Sequence, residues 1–489
     1  MVDHDEILEV EIDPREEREA IQDHCGVVGI ASRDEAAPLL YYALHSLQHR
    51  GQESGGMSVH GSGTRTHRAM GLVDSIFTPE TMTTLAGKTG IGHVRYATTG
   101  GSALENAQPV VVESQVGTLA LAHNGDVVNS AILREELKAK GWAFLTTNDT
   151  EVAVRLLANE LTQTDNKVRA IRNVMKHLTG SYCFVILLGE TVYAVRDPLA
   201  IKPLCYGALR DGSGWIVASE STALNVLDAM LVRDVMPGEI LELTKDGVKS
   251  HPLNPLQVTG AGHEIAHCMF EYVYFARADS VIDARPVHDV RTKIGQLLAK
   301  EAPADADVVI PVPDSGRTHA LGYSRATGIP FAEGLMKNRY VHRTFIMPSQ
   351  AARDLGVKMK LNPVRAVVDG RKVVLVDDSI VRGTTMKRIV SMLRDAGAKE
   401  VHVRIGSPPI VSPCYLGIDM NTRTQLVAAN HTVDEIRKLI GADSLSYISL
   451  DGLQEAIGHE PRDLCTGCLT GVYPVEIPGE KTRKQATLF

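Results

Sequence analysis

Residues Val373 to Thr385 read VVLVDDSIVRGTT, and no other run in the chain limits the fold so tightly. Apolar residues mark a strand, two adjacent carboxylates (Asp377 and Asp378) stand at its end, and a short polar loop leads into a helix predicted from Thr384 to Asp395. A strand of Val and Leu without polar alternation belongs in a parallel sheet covered on both faces. In the helix, Met386, Ile389, Val390 and Leu393 recur at three- and four-residue intervals and face that sheet, and Gly397 stops it. Backbone N–H groups, hydroxyls and a helix N-terminus suit the loop to a phosphate. The carboxylates suit ribose hydroxyls, met directly or through a magnesium shell. Neither GxGxxG nor GxxxxGK[ST] occurs at this junction, so ordinary dinucleotide and Walker sites fit poorly.

The surrounding chain repeats the alternation. A helix is predicted around Val287 to Lys300, strands at Asp307–Pro313 and Lys372–Asp378, and another in EVHVRIG, together a parallel sheet between helices. The Asp307 strand runs into PVPDSGR (Pro311 to Arg317), a second loop at the end of an apolar strand. Between the two loops lies a basic stretch, Lys337 to Pro363, with Lys337, Arg339, Arg343, Arg353, Lys358 and Lys360 among aromatic and apolar residues. Its spacing fits a phosphate-neutralising loop or a solvated basic surface equally.

The first half reads differently. Short β-rich runs (VVGI, TLALAH, YCFVILL, TVYAV, WIVAS) with helical stretches at Leu39–His49 and Val152–Thr162 favour stacked sheets in a mixed α/β domain. A Gly/Pro/His-rich passage from about Lys245 to His263 reads as the border between the halves. At 489 residues the chain is too long for one core. A net charge of -8 with mixed signs argues against general binding of nucleic acid or anionic lipid, and no apolar run reaches the 18 residues of a membrane span. The first 24 residues carry ten acidic side chains and no apolar core, unlike a secretory signal, and seven sparse cysteines suit a reducing compartment; both favour a cytoplasmic protein.

Cys25 stands directly after that acidic leader. Cutting the leader off would give an N-terminal cysteine whose own α-amine, with a reference pKa near 8, acts as general base for the thiol. Arg95 in GHVRYATTG, Asn124-Gly125 in HNGD and Asp149 before a helix follow in order, and QHRGQESGG (Gln48 to Gly56) carries glycines suited to tight packing. Singly, Cys25 reads as core, Arg95 as an ion-pair residue, HNGD as an Asn-Gly turn and Asp149 as an N-cap. As an ordered set they resemble the glutaminase domain of the class II, N-terminal-nucleophile amidotransferases. That resemblance implies Cys25 as nucleophile, Asn124 and Gly125 as oxyanion hole, Arg95 on the glutamine carboxylate and Asp149 on its ammonium.

VVLVDDSIVRGTT likewise resembles the type I phosphoribosyltransferases. The resemblance implies phosphoribosyl pyrophosphate at Asp377, Asp378, Ser379, Arg382, Gly383, Thr384 and Thr385. It also implies Lys337, Arg343 and Lys358 on the pyrophosphate, and magnesium near Ser315, Asp377 and Asp378. An αββα glutaminase sandwich followed by such a parallel-sheet domain is similar to the glutamine phosphoribosylpyrophosphate amidotransferase family. This implies a propeptide at 1–24, domains at 25–255 and 256–475, and a flexible tail at 476–489. It further implies ammonia passing along a dry path that Tyr96, Tyr340, Phe345 and Ile346 help to wall, purine nucleotides as feedback inhibitors, and a homotetramer. Another class II amidotransferase and a non-catalytic nucleotide sensor are the alternatives.

Four cysteines remain. Cys465 and Cys468 are spaced as metal ligands and Cys268 and Cys414 are single, so count and spacing leave zinc and iron–sulfur both open. The segments around Cys268 and Cys465 resemble the family branch with a structural [4Fe-4S] cluster, which implies those four as its ligands. Cys183 and Cys205 read as buried apolar residues.

Overall fold

The computed structural model describes residues 25–96, 101–253, 265–338, 361–418, 420 and 423–479. The expected propeptide, Arg343, Lys358, Tyr340, Phe345, Ile346 and most of the tail lie outside them.

The first half folds as two stacked antiparallel sheets. Seven strands lie in the order Ala229–Asp234, Cys205–Leu209, Gly214–Ala218, Gly26–Ser32, Thr89–Arg95, Ser54–His60 and Thr64–Met70. Six form the other sheet: Gly247–His251, Ile240–Thr244, Thr191–Arg196, Gly180–Leu188, Gly117–Val127 and Val110–Ser114. Val27, Ala31, Ile91, Ala122, Cys183, Val185 and Leu241 pack between the sheets. The helix Ala36–Ser46 covers the outer face of the first sheet, and Asp149–Glu160 and Lys167–His177 cover the second. The stacked sheets are those read from the β-rich runs, and the αββα order is the one the resemblance implied. One reading fails: Gly247–His251 is an edge strand paired with Ile240–Thr244, so the expected connection starts too early. Hairpin pairing satisfied a polar segment that its Gly and Pro content assigned to a linker.

The second half carries a four-stranded parallel sheet in the order Val308–Pro311, Lys372–Asp377, Glu400–Ile405 and Ser444–Tyr447. The helices Val287–Glu301 and Gly316–Thr327 lie on one face, and Thr384–Asp395 with Val433–Ile440 on the other. Met386, Ile389, Val390 and Leu393 are all buried against the sheet, as the periodicity requires, each contributing about 1.5–3 kcal/mol. Among the described residues no helix is long and apolar enough to cross a membrane.

Two candidate active sites

Cys25 precedes the central strand of the seven-stranded sheet, and antiparallel pairing sets Gly26 opposite Val94. Register therefore brings Arg95 and Tyr96 to a thiol about seventy residues earlier in the chain. The buried thiol donates to the Tyr96 carbonyl oxygen at 3.6 Å. Burial pushes the thiol's pKa up; the Tyr96 contact and the Arg95 charge pull it down, and Asp149 and Glu53 push it up again. The thiol is thus protonated at rest and needs a base, and the charges acting on it place Arg95, Asp149 and Glu53 around it. Arg95 is buried, with Nη1 2.7 Å from Glu53 Oε1 and 3.4 Å from the Gly101 carbonyl oxygen.

Asn124 and Gly125 lie inside the strand Gly117–Val127, opposite Cys183 and Tyr182, so HNGD is not a turn. Asn124 is fully buried, yet neither its Nδ2 nor its Oδ1 has a hydrogen-bond partner. A buried amide left unsatisfied costs about 1–3 kcal/mol, and such a group in a native fold calls for an explanation, a catalytic role being one. Gly125 has φ +146°, and a Cβ there would stand 2.2 Å from the Ser181 carbonyl oxygen, so only glycine fits.

Asp149 is the first residue of its helix; Asn148 is the N-cap, accepting from the Glu151 N–H. Burial works against the Asp149 carboxylate, but His123, 3.4 Å from Oδ1, and the Val127 N–H, 2.9 Å from Oδ2, outweigh it and hold its pKa low. It stays charged. Glu53 and His123 lie inside the QHRGQESGG and HNGD runs, but sequence reasoning assigned neither a role of its own. Gly51 packs as the QHRGQESGG run suggests: a Cβ there would lie 2.5 Å from the Val94 carbonyl carbon.

The second site is local. Asp377, Asp378, Ser379, Gly383 and Thr385 line a cleft of about 160 Å³ with Ser315, Val312 and Tyr274. Ser315 donates to Asp378 Oδ2, Ser379 to Oδ1 at 2.6 Å, and the Asp378 N–H to Asp377 Oδ1 at 2.9 Å. Burial raises both carboxyl pKa values, and the charge of Asp378 raises that of Asp377 further. Two crowded acids facing a cleft are poised for cationic or hydroxylic ligands. Gly383, at φ +81°, turns the loop into the helix Thr384–Asp395, and the N-terminus of a helix is suited to an anion. Arg382 reaches Gln425, and exposed Lys337 pairs with Asp314 at 3.0 Å. Tyr274 comes from a distant segment that no local signal connects to this loop.

Among the described residues the expected metal centre does not form. Cys268 and Cys465 do face each other across a two-residue parallel ladder, and the Cys468 carbonyl oxygen accepts from the Val411 and Ser412 N–H groups, close in sequence to Cys414. Nevertheless, among the described residues no three or more His, Cys, Asp or Glu side chains converge in a way that could hold a metal ion. Both the [4Fe-4S] assignment to Cys268, Cys414, Cys465 and Cys468 and its zinc alternative are thereby overturned, and with them membership of the iron–sulfur branch. Burial raises all four thiol pKa values, that of Cys414 to about 11. They are neutral thiols packed in or against an apolar cluster with Phe270, Met269 and Leu464, where cysteine behaves as a small hydrophobe. Spacing brought the four cysteines into one apolar neighbourhood without making a ligand set of them. Cys183 and Cys205 are buried in apolar clusters, as read.

Comparison with known proteins covers both halves. A glutamine amidotransferase domain model matches residues 93–226 and a phosphoribosyl transferase domain model residues 282–405. The chain is 52% identical over 470 residues to an amidophosphoribosyltransferase of Methanothermobacter thermautotrophicus, covering 95% of this chain and 98% of that one. It is 46% identical over 469 residues to the one of Bacillus subtilis, covering 94% and 96%. A solved structure described as the allosteric regulatory enzyme of purine biosynthesis superimposes with TM-score 0.86 at 46% identity, covering 93% of this chain and 97% of the other. A Bacillus subtilis glutamine phosphoribosylpyrophosphate amidotransferase complexed with ADP and GMP gives TM-score 0.86 at 45% identity, covering 93% and 98%.

Proposed function

The chain belongs to the amidophosphoribosyltransferase family, and from that premise we propose how its own residues divide the reaction. Glutamine, phosphoribosyl pyrophosphate and water give 5-phosphoribosylamine, glutamate and pyrophosphate, the first committed step of purine synthesis. In our assignment residues 1–24 are a propeptide, 25–255 the glutaminase, 256–475 the phosphoribosyltransferase and 476–489 a flexible tail.

Once freed at Cys25, the α-amine takes the thiol proton and the sulfur attacks the glutamine amide carbon. Arg95 meets the substrate carboxylate and Asp149, held charged by His123, its ammonium. The Asn124 side chain and the Gly125 N–H receive the oxyanion. The observation that carries this reading is the fully buried, unpartnered Asn124 amide in the sheet stacked on the one that carries the buried Cys25 thiol. The α-amine passes the proton to departing ammonia, and water then releases glutamate from the thioester.

Ammonia next attacks C1 of the ribose. Asp377 and Asp378 hold the ribose hydroxyls, and Ser379 to Thr385 hold the 5-phosphate. Lys337, Arg343 and Lys358 take the pyrophosphate, the latter two outside the described residues. Two carboxylates fit a magnesium ion only as a partial shell, with substrate oxygens supplying the rest; bound there, the ion would offset charge on the leaving pyrophosphate. Buried Tyr96 stands beside the thiol, where ammonia departs. A homotetrameric, cytoplasmic enzyme inhibited by purine nucleotides completes the proposal.

The deciding experiment is product analysis with glutamine and phosphoribosyl pyrophosphate together and with each omitted, alongside N-terminal sequencing of the active protein. Phosphoribosylamine formed only with both, by protein beginning at Cys25, is expected. Full activity in protein retaining Met1 to His24 removes the α-amine mechanism.

A further inference from the structure

A buried ion network crosses from one half of the chain to the other directly behind the nucleophile. Arg50 donates from Nε to the Cys25 carbonyl oxygen at 3.2 Å, and from Nη1 and Nη2 to the two carboxylate oxygens of Glu271 at 3.0 and 2.8 Å. Nη1 also reaches Glu220, which in turn accepts from the Ser280 hydroxyl at 2.6 Å and the Arg277 N–H at 3.0 Å. Lys202 Nζ lies 3.6 Å from Glu271. Arg50, Lys202 and Glu220 come from the glutaminase half, and Glu271, Arg277 and Ser280 from the other. Arg50, Lys202, Glu220 and Glu271 are all essentially inaccessible to solvent.

Glu271 opens a single π-helical turn, Glu271–Phe275, and Tyr274 of that turn lines the cleft of Asp377 and Asp378. Single π turns are uncommon and recur at functional sites.

We propose that Glu271 is a positioning residue for the glutaminase reaction, although it belongs to the phosphoribosyl half. Its carboxylate grips Arg50 through a bidentate fork, and Arg50 fixes the carbonyl, hence the backbone orientation, of Cys25. This rests on the glutaminase reading of the Cys25 site. A buried ion pair adds little stability over an apolar pair of the same size, but a planar fork sets direction as well as distance. Direction is what a nucleophile needs, since a displacement of about 1 Å costs roughly 10²-fold in rate.

The test uses the full-length protein with Glu271→Gln, which keeps the shape and removes the charge. The kcat of glutamine-dependent phosphoribosylamine formation should fall about tenfold while KM for glutamine changes little and ammonia-dependent synthesis is retained. A merely structural role would instead lower both nitrogen sources together with thermal stability, and that result overturns the proposal. So does an unchanged glutamine-dependent kcat. Should Glu271→Gln fail to fold, Glu271→Asp, which retains the charge on a shorter arm, is judged by the same split. Cys25→Ala measured alongside separates this inference from its premise. Glutamine-dependent activity in Cys25→Ala removes the glutaminase reading itself, whereas its loss there beside a normal Glu271 variant removes only the brace.

Discussion

The two sites solve opposite problems. The phosphoribosyl site is one continuous strand, loop and helix whose carboxylates crowd each other at a cleft. The proposed glutaminase site draws on both sheets and a helix: strand register brings Arg95 to Cys25, whereas Asn124 belongs to the other sheet and Asp149 to a helix packed on it. In the proposed assignment one site neutralises a highly charged substrate. The other must orient a small amino acid and stabilise charge that appears only in the transition state, which takes fixed donors in a dry interior. Locality suits the first task and rigidity the second.

The sharpest way to break this contrast is Cys25→Ala. Glutamine-dependent synthesis should fall about 10³-fold or more, as for loss of a catalytic nucleophile, while synthesis from added ammonia continues. Parallel loss of both in folded protein would mean that the sites are not chemically separate. Asn124→Ala comes next: glutaminase kcat should drop about 10²–10³-fold, roughly 3 kcal/mol, with KM for glutamine little changed. A KM effect alone would make Asn124 a binding residue.

On the other side, Asp377→Asn should slow phosphoribosyl transfer about 10²-fold from both nitrogen sources and spare basal glutaminase. Phosphoribosylamine yields from glutamine and from ammonia decide it, and a loss confined to glutamine would contradict the assignment.

The smallest expected effect is on stability. The Asp377 carboxyl has a raised pKa in the folded protein, from burial and from Asp378, so the folded state binds more protons than the unfolded one above the ordinary carboxylate range. Stability must therefore fall as pH rises from about 3.9, the unfolded value, through the folded pKa. Asp377→Asn removes that penalty and should stabilise the ligand-free protein by about 1 kcal/mol at neutral pH. The gain should vanish below about pH 4, where both states are protonated. Denaturation at two pH values measures it, and a gain that persists in acid would place its origin elsewhere.

The difference between the sites also explains what could be read in advance. The helix Thr384–Asp395 was legible to its end residues because one periodic apolar face meets one sheet. The pairings of Glu53 with Arg95 and of His123 with Asp149 are not legible along the chain, because the partners are distant in sequence and meet only in the folded structure. The cysteines mark the limit most plainly. Their count and CxxC spacing predicted a metal centre, yet among the described residues no ligand set forms and burial keeps the thiols neutral.

By itself the sequence determined the order of the two domains and the strand, loop and helix that carry the paired carboxylates. These follow from apolar periodicity and from contiguous motifs, which are properties of neighbours along the chain. Only the tertiary structure decided that Asn124 would be left without a partner, that Asp149 would be held charged by His123, and that Glu271 would stand behind Cys25. Each of those is a matter of burial and of contact between remote segments, and the free energy of a polar group depends on what surrounds it in space rather than on what adjoins it in sequence.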